Sequence, residues 1–413
     1  MRLLVISQYF WPETFRINDL VAGLTARGHE VTVLTGRPNY PDGQVFAEFA
    51  AEPEAFSRFA DADVVRVPML ARGRGGLRLA LNYLIFALSG IFLGPLVLRG
   101  RKFDAIFVFQ PSPVTVGLPA ITLGWLKQAP VAFWVLDLWP ESLIAVGAVR
   151  SRPILGAIAL LVRFIYRQSA VVLGQSRSFV TEIRRYLQDQ RRAIYFPSWP
   201  DEAGSAETAD AAPEIPPAPD LFTIVFTGNV GEAQDFPAIL DAADRLRDRP
   251  VRWVIVGDGR KALWLRDEVA RLGLTEQVLM PGRFPLERMP SFQRHADALL
   301  VSLRDEPIFA MTIPGKIQSY LQAGLPIIAM LNGEGAAVVG EAGAGLAVAA
   351  GHSDDLAEAV LAMIATPAAV RQEMGENGRR YASREFDRDA LFDRIEVILN
   401  DISAGRIPPA HTA

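Results

Sequence analysis

Lys316 falls in the first turn predicted for a helix, within TIPGKIQSYLQAGLPIIAM, residues 312–330. A helix starts at the positive end of its dipole, where a cation costs roughly a few tenths of a kcal/mol unless an anion offsets it. Free amides at that end, with Gly315 letting a ligand approach the backbone, make an anion site. A diphosphate would supply the missing charge. The competing reading is a solvated lysine that bears the small cost. Thr312 is placed to cap the helix and Pro314 to occupy its first turn. Gly324 is placed to end it, before LPIIAM resumes as a buried strand.

Two glycine loops could face the same anion. FTGNVGEAQDF supplies Gly228, Asn229 and Gly231 directly after a strand-like run, and VIVGDGRKALWL supplies Gly257, Gly259, Arg260 and Lys261. Neither is a Walker loop, and each alone reads equally well as a tight turn without a ligand. Three such strand ends in one half of the chain, one of them carrying Lys316, favour a shared anion. In the other half, Asp137 follows the apolar run AFWVL and Glu141 comes one helical turn later. A carboxylate there can position or deprotonate a hydroxyl, or serve as a cap around Pro140. The four histidines have neither metal-ligand spacing nor triad partners, so none is assigned catalysis.

These residues need a scaffold. A chain of 413 residues, half of them hydrophobic, predicts two domains of about 200 residues. Apolar runs such as RLLVISQY, DAIFVFQ and PVAFWVLDLW in the first half alternate with helix-length segments. FTIVFTGN, VRWVIVGDG, ADALLVSL and LPIIAML repeat the rhythm in the second. Such continuous strands predict parallel sheets covered on both faces, hence an α/β fold with two doubly wound, Rossmann-like domains. Ligands of such sheets bind at the carboxyl ends of the strands, so the cleft between the domains is the expected site. The predicted boundaries are 1–200 for the first domain, 201–220 for a Pro-, Ala- and acid-rich linker and 221–385 for the second. A closing helix is expected over 386–402, returning toward the first domain, with a tail over 403–413.

Residues 1–200 carry 22 Lys/Arg against 14 Asp/Glu, and the remainder 20 against 32. A basic first half suits an anionic partner, either a membrane surface or a phosphorylated substrate; incidental surface charge is the alternative. No basic tract interleaved with aromatics suggests nucleic acid. The absence of cysteine excludes disulfides, zinc–thiolate sites and a thiol nucleophile. The first residues lack the long apolar core of a signal peptide, so a cytoplasmic protein is expected. Within the segment 77–100, residues 79–98 hold no charge and are flanked by arginines and Lys102. A single crossing would strand RLLVISQY and DAIFVFQ on opposite sides of a bilayer. A helix broken near Gly90, Gly94 and Pro95 is expected instead, packed in the core or lying at a lipid interface.

The motifs RINDL, NYP, DLWPE, GKIQSY and NGEGA, spread over about 1–400, resemble family 4 glycosyltransferases of the GT-B fold. They are most similar to the N-acetylfucosaminyltransferase-like branch of O-antigen and exopolysaccharide enzymes. The resemblance implies retaining, metal-independent transfer of an N-acetylated deoxyhexosamine or related sugar. The donor would be a UDP-sugar and the acceptor a polyprenyl-diphosphate-linked saccharide at the inner face of the cytoplasmic membrane, with no cofactor. A glutamate pair usual in the family maps onto Met311 and Ser319, placing them near the donor sugar and ribose. Asn229 and Gln234 stand where family members often carry an arginine and a lysine, and Leu136 replaces a histidine before Asp137. Lys316 and Arg260 would then supply the charge for the leaving diphosphate, and Asp137, or else Glu141, would handle the acceptor hydroxyl. Glu13, Arg16, Asn18 and Asn39 are expected to line the acceptor cleft, with local capping as the alternative for the loop residues 13–18. A nucleotide-sugar epimerase and a non-catalytic binding protein share this architecture and remain the other readings.

Overall fold

The runs of Val, Ile, Leu and Phe that punctuate the chain become strands buried on both faces. The computed structural model describes residues 1–41, 43–73, 75–145, 147–201 and 209–409. The chain divides into two units, one of Met1–Pro197 with the residues from Asp389 onward, the other Ser198–Arg388.

The first unit holds β1 (Arg2–Ile6), β2 (Glu30–Thr35), β3 (Arg58–Phe59), β4 (Ala62–Arg66), β5 (Ala105–Gln110), β6 (Val131–Val135), β7 (Val171–Gly174) and β8 (Ala193–Tyr195). Their order in the sheet is β3-β4-β2-β1-β5-β6-β7-β8, parallel throughout except for the β3–β4 pair. The chain steps outward from β1 to β2 and then returns past it to β5. The crevice at the carboxyl ends of β1 and β5 is therefore a topological switch point. The apolar segment forms a helix, Gly76–Phe92, then a break at Leu93 and a short helix, Gly94–Val97. Gly90 lets Pro119 pack closely, because a Cβ there would meet the proline Cβ at 2.6 Å. Among the described residues no helix is long and apolar enough to cross a membrane.

The last helix, Arg388–Ser403, belongs with the first unit rather than the second. Phe392 packs against the helix Arg16–Ala26 at Gly23, where a Cβ would come within 1.8 Å of the ring. Arg27 binds Glu396 at 3.0 Å, and His29 also contacts Glu396, which gives that histidine a structural role.

The second unit holds β9 (Phe222–Thr227), β10 (Val251–Val256), β11 (Val278–Gly282), β12 (Ala298–Ser302), β13 (Ile327–Met330) and β14 (Gly345–Val348). The order β11-β10-β9-β12-β13-β14 is that of a dinucleotide-type sheet, with its switch point between β9 and β12. The stretch 201–220 is expected to bury little, yet its later part does. Ala212 and Ile215 are buried in the second unit's core. The Ala212 amide donates to Ser291 O at 3.0 Å, and Glu214 pairs with Arg288 at 2.9 Å. Two small apolar residues in a Pro-rich run suffice to fasten it once a surface is offered. Residues 202–208 of that stretch lie outside the described residues.

Candidate functional site

Because β10, β9 and β12 are neighbours, the three segments that follow them converge at one edge of the second unit. The loop after β9 is tied down by its own amides: Gly228 N donates to Val256 O at 2.8 Å and Val230 N to Asp258 O at 2.9 Å. The loop after β10 lies directly beneath. A Cβ at Gly257 would stand 1.8 Å from Gly228 O, and one at Gly259 would stand 2.3 Å from Val230 O. These glycines are thus required by backbone-to-backbone contact. Gln234 Oε1 accepts from Gly231 N at 3.1 Å and from Asn229 Nδ2 at 3.4 Å, closing the first loop on itself. A Ser302 hydroxyl bond to Gln234 O at 2.6 Å then pins the loop to the end of β12.

Lys316 enters from the third segment. The helix it belongs to is Gly315–Ala323, ended by Gly324 in the left-handed region at φ 71°. Its ammonium sits 3.6 Å from the centroid of the Phe226 ring, and its Cε would touch a Cβ at Gly228 at 2.7 Å. No described carboxylate pairs with it, and burial lowers its pKa from 10.5 to about 7. The cation–π contact replaces only part of the lost hydration. Tyr320, one turn along, receives the Thr227 amide at 2.9 Å and locks this helix to the end of β9.

Several expected donor residues fall differently. Pro314, not Thr312, is the cap residue, and the Thr312 hydroxyl donates back to Ile308 O at 2.8 Å. A short helix, Pro307–Ala310, precedes this site and claims that hydroxyl. Ser319 Oγ likewise returns to Gly315 O at 3.3 Å, and Met311 terminates the short helix. Arg260 is exposed, and its neighbour Lys261 is held by Glu232 at 2.8 Å. Gly315 has open space around its missing Cβ. The structure brings together Lys316, Gly228, Asn229, Gly231, Gly257 and Gly259. Phe226 is the residue that sequence reasoning missed: nothing in FTIVFTGN tells which strand residue meets the lysine.

In the first unit, Asp137 emerges from β6 into a nest of donors. Trp139 Nε1 donates to its Oδ2 at 2.9 Å, and the Ser142 and Ser112 side chains stand beside it without completing hydrogen bonds to it. Burial raises the carboxyl's pKa against these stabilising partners. Ser112 also stands near the Tyr83 phenol, and the Tyr83 ring lies 6.3 Å from Trp139. Tyr83 and Ser112 gave no sequence signal beyond a lone serine in QPSPV. Glu141 opens a five-residue helix, and burial raises its pKa too, with Tyr186 beside it.

Glu13 does not offer its carboxylate to a cleft. It is buried, and its Oε1 accepts the amides of Asn39 and Tyr40 at 2.7 Å each. Its Oε2 accepts Phe10 N at 3.0 Å. Burial pushes it up to about 7, against those three amides and Arg66. Asn39 is also buried, donating to Arg37 O and accepting from Arg72 N at 2.8 Å. Asn18 donates to Glu13 O at 2.7 Å, and Arg16 opens its helix. Glu13, Asn18 and Asn39 therefore brace the loops around the switch point. The surface of that crevice is aromatic: Tyr40 lies 5.5 Å from Tyr9 and 5.1 Å from Phe15.

Comparison with known proteins agrees with both halves. Residues 14–199 match the "Glycosyl transferase 4-like domain" and residues 222–366 match "Glycosyl transferases group 1". The "Putative colanic acid biosynthesis glycosyl transferase WcaI" of Escherichia coli (strain K12) is 26% identical over 420 residues, spanning 97% of this chain and 100% of that protein. Anabaena Alr3699/HepE, solved with UDP and glucose, superposes with a TM-score of 0.65 at 14% identity, over 97% of this chain and 99% of that one. WaaG, "a glycosyltransferase involved in lipopolysaccharide biosynthesis", gives 0.65 at 13% identity over 96% and 99%. With one glycosyltransferase family model matched in each half of the chain and two parallel-sheet domains like those of the solved enzymes, the chain belongs to the GT-B glycosyltransferases.

Proposed function

We propose that this protein transfers a sugar, with retention of anomeric configuration, from a UDP-sugar to a lipid-linked acceptor during assembly of a bacterial surface polysaccharide. The observation that carries the donor assignment is Lys316: an ammonium without a carboxylate partner among the described residues, at the switch point of its sheet, beside two glycine loops. A diphosphate supplies the charge that ammonium lacks. UDP as the nucleotide is supported by the HepE complex, and the polysaccharide setting by the WcaI and WaaG likenesses.

The chemistry follows from the charges that develop. As the anomeric C–O bond breaks, negative charge gathers on the leaving diphosphate and positive charge on the sugar ring. Lys316 and the first amides of its helix meet the former, without calling on a metal. Asp137 receives or orients the acceptor hydroxyl; its raised pKa makes it a better base than an exposed aspartate. With no second carboxylate assigned as nucleophile, the acceptor attacks on the face the diphosphate leaves, and the diphosphate helps take its proton. The donor sugar in this reading is N-acetylated, and the work is done at the inner face of the cytoplasmic membrane.

The test is incubation of the protein with a panel of UDP-sugars and a membrane lipid extract. A lipid-linked sugar product with the anomeric configuration of the donor is expected. An acceptor-independent isomer of the donor would make the protein an epimerase, and tight UDP binding without turnover would make it a binding protein.

A further inference from the structure

Three helices of the first unit lie side by side and leave an apolar strip uncovered. On Gly76–Phe92, Leu77, Leu81, Leu84 and Leu88 recur at helical spacing and are all exposed, Leu77 by 77%. The opposite face, with Asn82, Phe86 and Gly90, is buried. The short helix after it adds Leu96, exposed by 66%. Gly117–Lys127 packs alongside, Gly94 resting on Leu123, and ends in exposed Trp125 and Leu126. Trp125 in turn stacks edgewise on Phe164 at 6.1 Å, which joins the third helix, Arg152–Gln168, to the strip. That helix buries only Val162, Ile165 and Tyr166, so its first ten residues, RPILGAIALL, stand largely uncovered.

A contiguous apolar face of this extent on a folded domain marks a docking surface. Its charges say what docks. Residues 64–181, which contain all three helices, carry 13 Lys/Arg and 3 Asp/Glu. The three acids are Asp104, Asp137 and Glu141. Asp104 is held by Arg2 at 2.7 Å, and the other two belong to the site already described. Around the strip, Arg78, Arg99, Lys102, Arg152 and Arg163 are exposed, and Arg152 and Arg163 fall on the flank of their helix's apolar face. A second copy docked on the same strip by two-fold symmetry would set this basic fringe against itself. An anionic bilayer accepts both features: acyl chains take the leucines and Trp125, and headgroups take the guanidinium groups.

We propose that these three helices together form a platform that seats the protein in one leaflet of a bilayer rich in anionic phospholipid. The inference rests on the reading of the acceptor as lipid-linked, for which it supplies the means of access. The link is local: Tyr83, on the same helix as the exposed leucines, lies 6.3 Å from the Trp139 ring, whose Nε1 donates to Asp137.

The test is flotation of the full chain with vesicles of phosphatidylcholine alone or with about one third phosphatidylglycerol, at low salt and at about 0.5 M salt. Binding is expected to the anionic vesicles, at least about tenfold weaker to neutral ones and about tenfold weaker at high salt. Leu84→Glu with Phe92→Glu, and separately Trp125→Glu with Leu160→Glu, all four positions being exposed on these helices, should each cut vesicle binding at least about tenfold. Unchanged UDP affinity and melting temperature would show that the variants fold. Flotation that ignores lipid charge, or that survives both double variants, overturns the proposal. So does a wild-type dimer that the variants dissociate without any vesicle binding. Because the readout is binding alone, transfer to a water-soluble acceptor analogue would still report on the proposed reaction if flotation failed.

Discussion

The Lys316 ammonium lies 3.6 Å above the Phe226 ring, across an interval closed on one side by Gly228. A cation so placed is destabilised in the free protein and rewarded by an arriving anion. Lys316→Met is therefore expected to lower turnover by about 10²–10³, the loss usual when one donor to a developing oxyanion is removed. Initial rates at saturating donor measure it, and near-normal rates would dismiss Lys316 from the chemistry.

The same burial predicts a pH signature. The folded pKa of about 7 lies below the ordinary lysine value of 10.5, so between these values the unfolded chain binds more protons. The contribution of Lys316 to stability therefore rises with pH from about 7 to about 10.5 in the absence of ligand. Urea unfolding of wild type and Lys316→Met across that window should show the wild-type slope exceeding the variant's. Conversely, UDP binding near pH 8 should take up close to one proton, read by calorimetry in two buffers of different ionisation enthalpy. Binding heats independent of buffer would contradict the ammonium–diphosphate contact.

Glycines in the donor unit should separate by what their Cβ meets. Gly257→Ala drives a carbon against the Gly228 carbonyl and is expected to destabilise by at least about 3 kcal/mol. Gly315→Ala enters open space and should change stability by less than about 0.5 kcal/mol, yet weaken UDP if the diphosphate approaches that backbone. Chemical denaturation and UDP titration on both variants decide the matter.

Asp137 belongs to the first unit and the donor loops to the second. Asp137→Asn should therefore leave UDP affinity intact while lowering turnover by about 10²–10⁴, the range of a lost general base. An equal loss in UDP affinity would mean that the residue acts on folding or on the donor instead.

Glu13 is expected to behave as a brace. Glu13→Ala orphans the amides of Phe10, Asn39 and Tyr40 and should cost about 3 kcal/mol or more. Since its carboxyl is raised from 4.5 to about 7, its contribution to stability is greatest below pH 4.5 and declines as pH rises through 7. Denaturation midpoints of wild type and Glu13→Ala should therefore draw closer as pH rises through that range.

The alternation of apolar runs with helix-length segments was enough to determine two parallel sheets, because a strand covered on both faces must be apolar at every position. The broken helix at 76–97 was legible from Gly94 and Pro95, and the short helix that carries Lys316 from Pro314 before it and Gly324 at its end. Only the tertiary structure decided which side chains those loops leave free. Thr312 and Ser319 spend their hydroxyls on carbonyls four residues back, and Glu13 spends its carboxylate and Asn39 its side-chain amide on neighbouring loops. A sequence shows which groups can hydrogen-bond but not which partners reach them first; that depends on strand order. The order β10-β9-β12 puts Phe226 beneath Lys316, whose ammonium meets no carboxylate among the described residues.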